Sequence, residues 1–325
     1  MAVTIYVGDC RKILPLLTAS HCQICVTSPP YLGLRDYGVA GQIGLEDRPE
    51  DYIDHLVEIF DLVRTVLRPD ATLWLNLGDS YVSQGGFRDY GSSDGSTGRG
   101  YNSSRRGRGF GLKPKDLMFM PIRVAMALQQ RGWWVRADNI WNKSNPVPES
   151  TKDRPTSAHE HVFLLSRAAK YFYDYHAAQE PTVDGGGTRN MRNVWTVPVR
   201  PFHGAHFATF PRELIEPCIL AGGAIHGACT ACGRPLVEGR GGTPERPCGH
   251  GDAAVARSCV IDPFFGAGTT GLAADKYGLD CIGIELNPEF AAIAATRLRG
   301  SGVDVRVVTL QDLLESPESD RLAAD

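Results

Sequence analysis

The sequence predicts an α/β fold in one large unit, and three observations lead there. Short β-prone runs alternate with helical stretches. A glycine turn joins a strand-like run to a helix near the C-terminus. Of the 325 residues, 42% are hydrophobic and 22% charged, the make-up of a chain that buries a sizeable core.

The elements follow in order. Val3 to Val7 is a short β-prone run, and Ile24 to Thr27 is a second, stopped by Ser28-Pro29-Pro30-Tyr31 because two prolines cannot continue a central strand. Residues 51–67 give an amphipathic helix: Ile53, Leu56, Val57, Phe60, Val63 and Leu67 keep helical spacing, and Pro69 ends it. Thr72 to Leu77 reads as a buried strand. Residues 121–131 form the next helix, with Pro121 in its first turn, and Trp133 to Trp141 and Glu160 to Leu165 are again β-prone. From Cys259 a strand, the glycine turn, a helix, a strand ending at Glu285 and a helix opened by Asn287-Pro288 close the chain. The alternation implies a parallel sheet.

Three excursions interrupt this pattern. Residues 83–112 are rich in Gly and Ser, lack apolar periodicity and carry Arg99, Arg105, Arg106 and Arg108 interleaved with Phe87, Tyr90 and Tyr101. Such a segment predicts a mobile loop that contacts a phosphate backbone, or else a solvated linker. Residues 176–203 are irregular and hold Arg189, Arg192 and Arg200; residues 226–257 are rich in Gly, Pro and Cys. The net charge of −3 does not by itself advertise a nucleic-acid binder, so the local basic run carries that expectation. No apolar run approaches the roughly 18–20 residues of a membrane helix, and the N-terminus lacks a basic-then-apolar leader, which predicts a soluble, cytoplasmic protein. The 9 cysteines then read as reduced thiols, metal ligands or core residues, not as a disulfide framework.

In the turn Asp262-Pro263-Phe264-Phe265-Gly266-Ala267-Gly268-Thr269-Thr270-Gly271 the helix N-terminus offers unpaired N–H groups, and glycines let a ligand approach the backbone. Gly266, Gly268 and Gly271 also match the dinucleotide fingerprint, with Glu285 placed to accept ribose hydroxyls, so spacing alone permits a nicotinamide-dependent dehydrogenase. Two features break the tie. Asp262-Pro263 precedes the glycines, and a second loaded strand end, Thr27-Ser28-Pro29-Pro30-Tyr31, lies near the N-terminus. The first resembles the cofactor motif, and the second the catalytic motif, of the beta-class S-adenosylmethionine-dependent DNA amino-methyltransferases, in that class's permuted order. The resemblance extends to Gly8-Asp9, Asn76 to Ser80, Trp141-Asn142-Lys143, His159-Glu160 and Phe207 to Pro211. It implies a Rossmann-like methyltransferase sheet with helices on both faces, acting on duplex DNA, with a homodimer and a cognate restriction enzyme as partners the family allows.

By the same resemblance Asp262, Phe264, Gly266, Gly268, Thr269, Glu285 and Asn287 surround the cofactor. Asp9 meets its adenine amine or simply caps a helix, and Phe207, Thr209 and Pro211 close over its methionine end. Trp141, Lys143, Asn145 and Pro146 fall where the family lines the target pocket, whereas Asp153, Arg154 and Glu160 form either an ion network or part of that pocket. The family's first residue in this motif is Asp or Ser. Serine, the commoner in N4-cytosine enzymes, predicts cytosine over adenine as target.

The chemistry of that motif can be argued independently. An exocyclic base amine is a poor nucleophile because its lone pair is delocalised into the ring. Acceptors on its N–H groups localise that pair; the Ser28 hydroxyl and Pro29 carbonyl are such acceptors, Pro30 fixes the turn, and Tyr31 can stack on a base rotated out of the duplex. A catalytically silent DNA-binding relative is the alternative, against which the intact motif argues.

Cys229-Thr230-Ala231-Cys232 followed by Cys248-Gly249-His250 carries the paired spacing of a structural zinc site. The second pair is closer than usual, so His226 or Cys259 could replace His250.

Overall fold

The computed structural model describes residues 2–82, 110–200, 209–239 and 241–315. Arg99, Arg105, Arg106, Arg108 and Phe207 lie outside the described residues, as does most of the 83–112 excursion. One sheet organises the rest. Its nine strands are β1 (Val3–Val7), β2 (Cys22–Thr27), β3 (Leu67–Leu77), β4 (Trp134–Asn142), β5 (His159–Ser166), β6 (Val194–Thr196), β7 (Cys259–Asp262), β8 (Asp280–Glu285) and β9 (Val305–Thr309). Their spatial order is β9-β1-β8-β7-β2-β3-β5-β4-β6.

The all-parallel expectation is corrected at one strand. Neighbouring strands run parallel except at β5, which is antiparallel to both β3 and β4. A parallel return needs a crossover element, and residues 143–158, between β4 and β5, contain no helix. The chain therefore comes back antiparallel. The reversal brings the N-terminal end of β5 to the edge where the other strands have their C-terminal ends.

Helices cover both faces. On one lie α1 (Cys10–Ile13), α2 (Pro49–Val66), α3 (Met120–Gln130) and α7 (Leu310–Glu315), packed on Cys25, Leu73, Leu75 and Phe163; on the other lie α4 (Arg212–Gly222), α5 (Thr269–Lys276) and α6 (Pro288–Gly300), packed on Ile5, Ile24, Val26 and Val260. The amphipathic pattern of α2 is realised: Ile53, Leu56, Phe60 and Val63 are buried, Pro49 opens the helix, and Glu50 and Asp51 sit at its positive end. It ends at Val66, before Pro69, because Leu67 already turns into β3. Each such fully buried Leu, Ile or Phe contributes about 1.5–3 kcal/mol.

The 176–203 excursion is not wholly irregular. Glu180–Pro181 and Thr188–Arg189 make a short antiparallel ribbon, and β6 adds to the sheet beside β4. Its arginines are engaged by carboxylates: Arg189 and Arg192 with Glu180 at 2.8 and 2.7 Å, and Arg200 with Glu213 at 3.1 Å. The 226–257 insertion folds as two small ribbons, Ala228–Cys229 with Val255–Ala256 and Val237–Glu238 with Pro244–Glu245. Among the described residues no helix is long and apolar enough to cross a membrane.

Candidate active site

Parallel strands deliver their C-terminal ends to one edge of the sheet, and a cleft of about 600 Å³ opens there. Two of those ends, one on β2 and one on β7, carry the motifs that the sequence singles out.

On the β7 side the chain leaves Asp262 and turns through Gly266 and Gly268, whose φ angles of +51° and +76° favour glycine. Buried Asp262 braces the turn from behind. It accepts the Thr27 hydroxyl at 2.6 Å, the Thr270 hydroxyl at 2.6 Å and the Phe264 N–H at 3.0 Å. Burial pushes its carboxyl up to about 6, against the pull of those hydrogen bonds. Asp262 thus ties the end of β2 to the start of α5 and does not line the cleft. Gly268 and Thr269 also stand behind the wall: Gly268 caps α5, and the Thr269 hydroxyl accepts Arg297 Nη1 at 3.0 Å. Phe264, Gly266, Glu285 and Asn287 face the cleft. The Glu285 carboxyl, raised by burial, accepts the N–H groups of Gly266 at 2.8 Å and Asn287 at 2.9 Å, and Asn287 caps α6.

Asp9 takes the capping role of its two sequence readings, and it also stands on the cleft wall. It caps α1 through the Arg11 N–H at 2.9 Å, pairs with the Arg11 guanidinium at 2.7 Å and lines the cleft. Burial raises its carboxyl, but these contacts with Arg11 outweigh that and hold it below the usual range. Thr209 lines the cleft; Pro211 instead caps α4.

On the β2 side Ser28, Pro29, Pro30 and Tyr31 all face the cleft. The Pro30 carbonyl accepts the Tyr52 hydroxyl at 2.9 Å, whereas no described residue donates to that of Pro29. The Tyr31 hydroxyl donates to Glu160 Oε2 at 2.6 Å and lies 3.3 Å from Ser28 Oγ. Burial, and then the Glu160 charge, hold the phenol well above its ordinary value, so it stays protonated. Asn76 Nδ2 donates to the same carboxylate oxygen at 3.0 Å, and Lys143 Nζ sits 2.5 Å from the other, 4.8 Å above the Trp141 ring. At Gly78 a Cβ would lie 2.7 Å from Tyr31 Cε2, so that glycine makes room for the ring.

Trp141 and Lys143 line the cleft, but Asn145 turns away and clamps the backbone of Val199 through its N–H and carbonyl, at 2.6 and 3.1 Å. Asp153 and Arg154 belong to a separate network, with Lys115, Glu149 and the Tyr81 ring. Sequence reasoning missed Asn76 as a site residue, and also Tyr37 and Phe290, which meet edge-to-face at 6.0 Å on the cofactor-motif side of the cleft. An aromatic beside the Asn287-Pro288 helix start was the available signal for Phe290.

In the insertion the donor atoms of Cys229, Cys232, Cys248 and His250 all lie within 4.8 Å of one another. Although burial pushes the Cys229 thiol up, N–H groups of Cys232 and Ala231 and the neighbouring thiols bring it down to about 6. Neither alternative ligand joins them. Cys259 pairs with Cys22 at 3.6 Å between the sulfurs, and His226 faces Glu238.

A family described as DNA methylase matches residues 22–296. The chain belongs to that family. Among relatives of this DNA methylase, Type II methyltransferase M.XycI of Xanthomonas campestris pv. cyanopsidis is 45% identical over 302 residues, 93% of this chain and 89% of that one. The fold resembles PvuII DNA methyltransferase (cytosine-N4-specific), with a TM-score of 0.60 at 17% identity over 99% of this chain and 92% of that one. It also resembles a Thermus thermophilus protein solved with S-adenosyl-L-methionine, with a TM-score of 0.58 at 21% identity over 94% and 99% of the two chains. The permuted order makes this a beta-class amino-methyltransferase, and the dehydrogenase reading of its glycine spacing falls away.

Proposed function

We propose that this DNA methylase moves a methyl group from S-adenosylmethionine to the exocyclic N4 amine of cytosine in duplex DNA, yielding N4-methylcytosine. The observation that carries the reading is the pair of acceptors, the Ser28 hydroxyl and the Pro29 carbonyl, to which no described residue donates, on the same cleft as the glycine turn. The cleft fits the cofactor. Its volume of about 600 Å³ suits a ligand of that size, and a Cβ at Gly266 would meet nothing closer than 4.0 Å, so a ligand can approach that backbone. Glu285 would hold ribose hydroxyls, and Phe290, Tyr37 and Ile284 offer apolar faces to a purine. The bound cofactor supplies an electrophilic methyl on a sulfonium.

Ser28 and Pro29 accept the amine N–H groups and localise its lone pair, while Tyr31 offers a surface for the extruded base. The amine pair forms the N–C bond as the C–S bond breaks onto sulfur, and one amine proton leaves to solvent. Ring methylation at carbon 5 would need a cysteine thiolate. Cys10 lines the cleft, but burial pushes its thiol up to about 12. Serine at position 28 and the cytosine-specific name of the PvuII enzyme favour cytosine over adenine. Nucleoside analysis of DNA treated with protein and cofactor tests this: N4-methylcytosine is expected, and N6-methyladenine alone would overturn the target.

The insertion supports a structural zinc held by Cys229, Cys232, Cys248 and His250, a donor set suited to a closed tetrahedral site. The Type II name of the relative supports pairing with a cognate restriction enzyme.

A further inference from the structure

The carboxylate of Glu160 is the hub of the target side of the cleft, yet it sits at the start of β5, far along the chain from Ser28. We infer that Glu160 is a positioning residue that sets the direction of a hydrogen-bond chain through Tyr31 to Ser28, leaving a serine lone pair turned toward the target amine. This rests on the reading that Ser28 accepts from that amine.

The reasoning is proton counting. A hydroxyl carries one proton and two lone pairs, and an ionised carboxylate can only accept. At 2.6 Å the Tyr31 proton is committed to Glu160 Oε2. The carbonyl oxygen of Asn76 also lies 3.3 Å from the phenol, but it is neutral and farther, so the charged acceptor takes the proton. The Tyr31 oxygen is then left as an acceptor, and the Ser28 hydroxyl, 3.3 Å away, donates to it. With its only proton spent there, Ser28 faces the cleft with lone pairs. The opposite orientation would aim an O–H at the amine N–H groups, a donor against donors.

Three neighbours keep the hub in place. Asn76 Nδ2 donates to Oε2 at 3.0 Å and to the His161 carbonyl at 3.1 Å, fixing the amide between β3 and β5. Lys143 balances the charge from the far side. Gly78 leaves the space in which the Tyr31 ring reaches the carboxylate. Hydrogen bonds polarised in series strengthen one another, so the charge also makes Ser28 a better acceptor.

The test is a double-mutant cycle on the full chain: wild type, Glu160→Gln, Tyr31→Phe and the double variant. The rate is read as single-turnover methyl transfer from labelled cofactor to DNA from a host lacking the modification. Calorimetric cofactor affinity checks that each variant is folded. Glu160→Gln can donate its amide to the phenol and reverse the chain, so its rate falls by on the order of 10-fold or more, with cofactor affinity unchanged. In Tyr31→Phe the chain is already cut, and adding Glu160→Gln costs little more. Losses that multiply, or a wild-type rate in Glu160→Gln, would overturn the inference while leaving amine methylation standing. A wild-type rate in Ser28→Ala would overturn the acceptor reading and this inference together.

Discussion

Replacing Gly78 by alanine tests how tightly Tyr31 is placed. The new Cβ would stand 2.7 Å from Tyr31 Cε2, 3.2 Å from Cδ2 and 3.4 Å from Glu160 Cδ. Carbon atoms settle at about 3.5–4.0 Å, so the ring must retreat by roughly 0.8 Å or more. Gly78 is not among the glycines with positive φ, so no backbone strain confuses the result. Overpacking of this kind costs about 1–3 kcal/mol if the ring stays and a displaced ring if it moves. The Tyr31 hydroxyl has three neighbours to lose, Glu160 at 2.6 Å and Ser28 and Asn76 each at 3.3 Å. A misplacement near 1 Å at a reacting centre reduces rates by about 100-fold. Single-turnover methyl transfer should fall by that order, with cofactor affinity, read by calorimetry, within about twofold of wild type because the glycine turn is on the other strand end. A wild-type rate would refute the claim that the position of Tyr31 limits the reaction.

Two further outcomes concern stability. Asp262, raised to about 6 when folded from about 3.9 when unfolded, gives stability that is full below pH 4 and is lost as pH rises through 6, on the order of 3 kcal/mol. Asp262→Asn should therefore flatten the denaturant midpoint between pH 4 and 7, and an unchanged pH slope would count against the carboxyl as its source. For the insertion, wild-type protein made without chelators should carry about one zinc per chain by metal analysis, because its four donors suit a closed site. Cys232→Ser should lose that metal and lower the melting temperature without altering cofactor affinity, and metal-free wild-type protein would sink the assignment.

The elements with strong periodicity were legible from residues alone. The pattern of α2 and the strand at Val3–Val7 needed only side-chain spacing and proline. The reversed strand β5 was not, because a β-prone run has no direction of its own and the orientation depends on residues 143–158 lacking a helix. That omission carried into the site. Glu160 stayed between an ion network and a pocket role until the reversal placed it beside Tyr31. The motif puts Asp262 next to the glycines and so implies a cofactor contact; spacing cannot tell a residue in front of a turn from one that braces it from behind. α4, with Pro217 inside it, and β9 went unread because the first holds a helix breaker and the second follows a helix with no motif to draw attention to it.

The place of β1 in the sheet has a consequence for how the molecule is made. This first strand lies between β8 and β9, both from the end of the chain, and is zipped to them from Val3 opposite Cys281 and Val305 through Val7 opposite Glu285 and Thr309. No ribosome-bound intermediate can assemble the cofactor side of the cleft until the residues through Thr309 have emerged. Until then β1 waits as an unpaired edge. Contacts of such sequence separation are slow to form. Refolding should therefore regain the α2 region early and the cleft last, and β1 is the segment most exposed to wrong pairing in the interval.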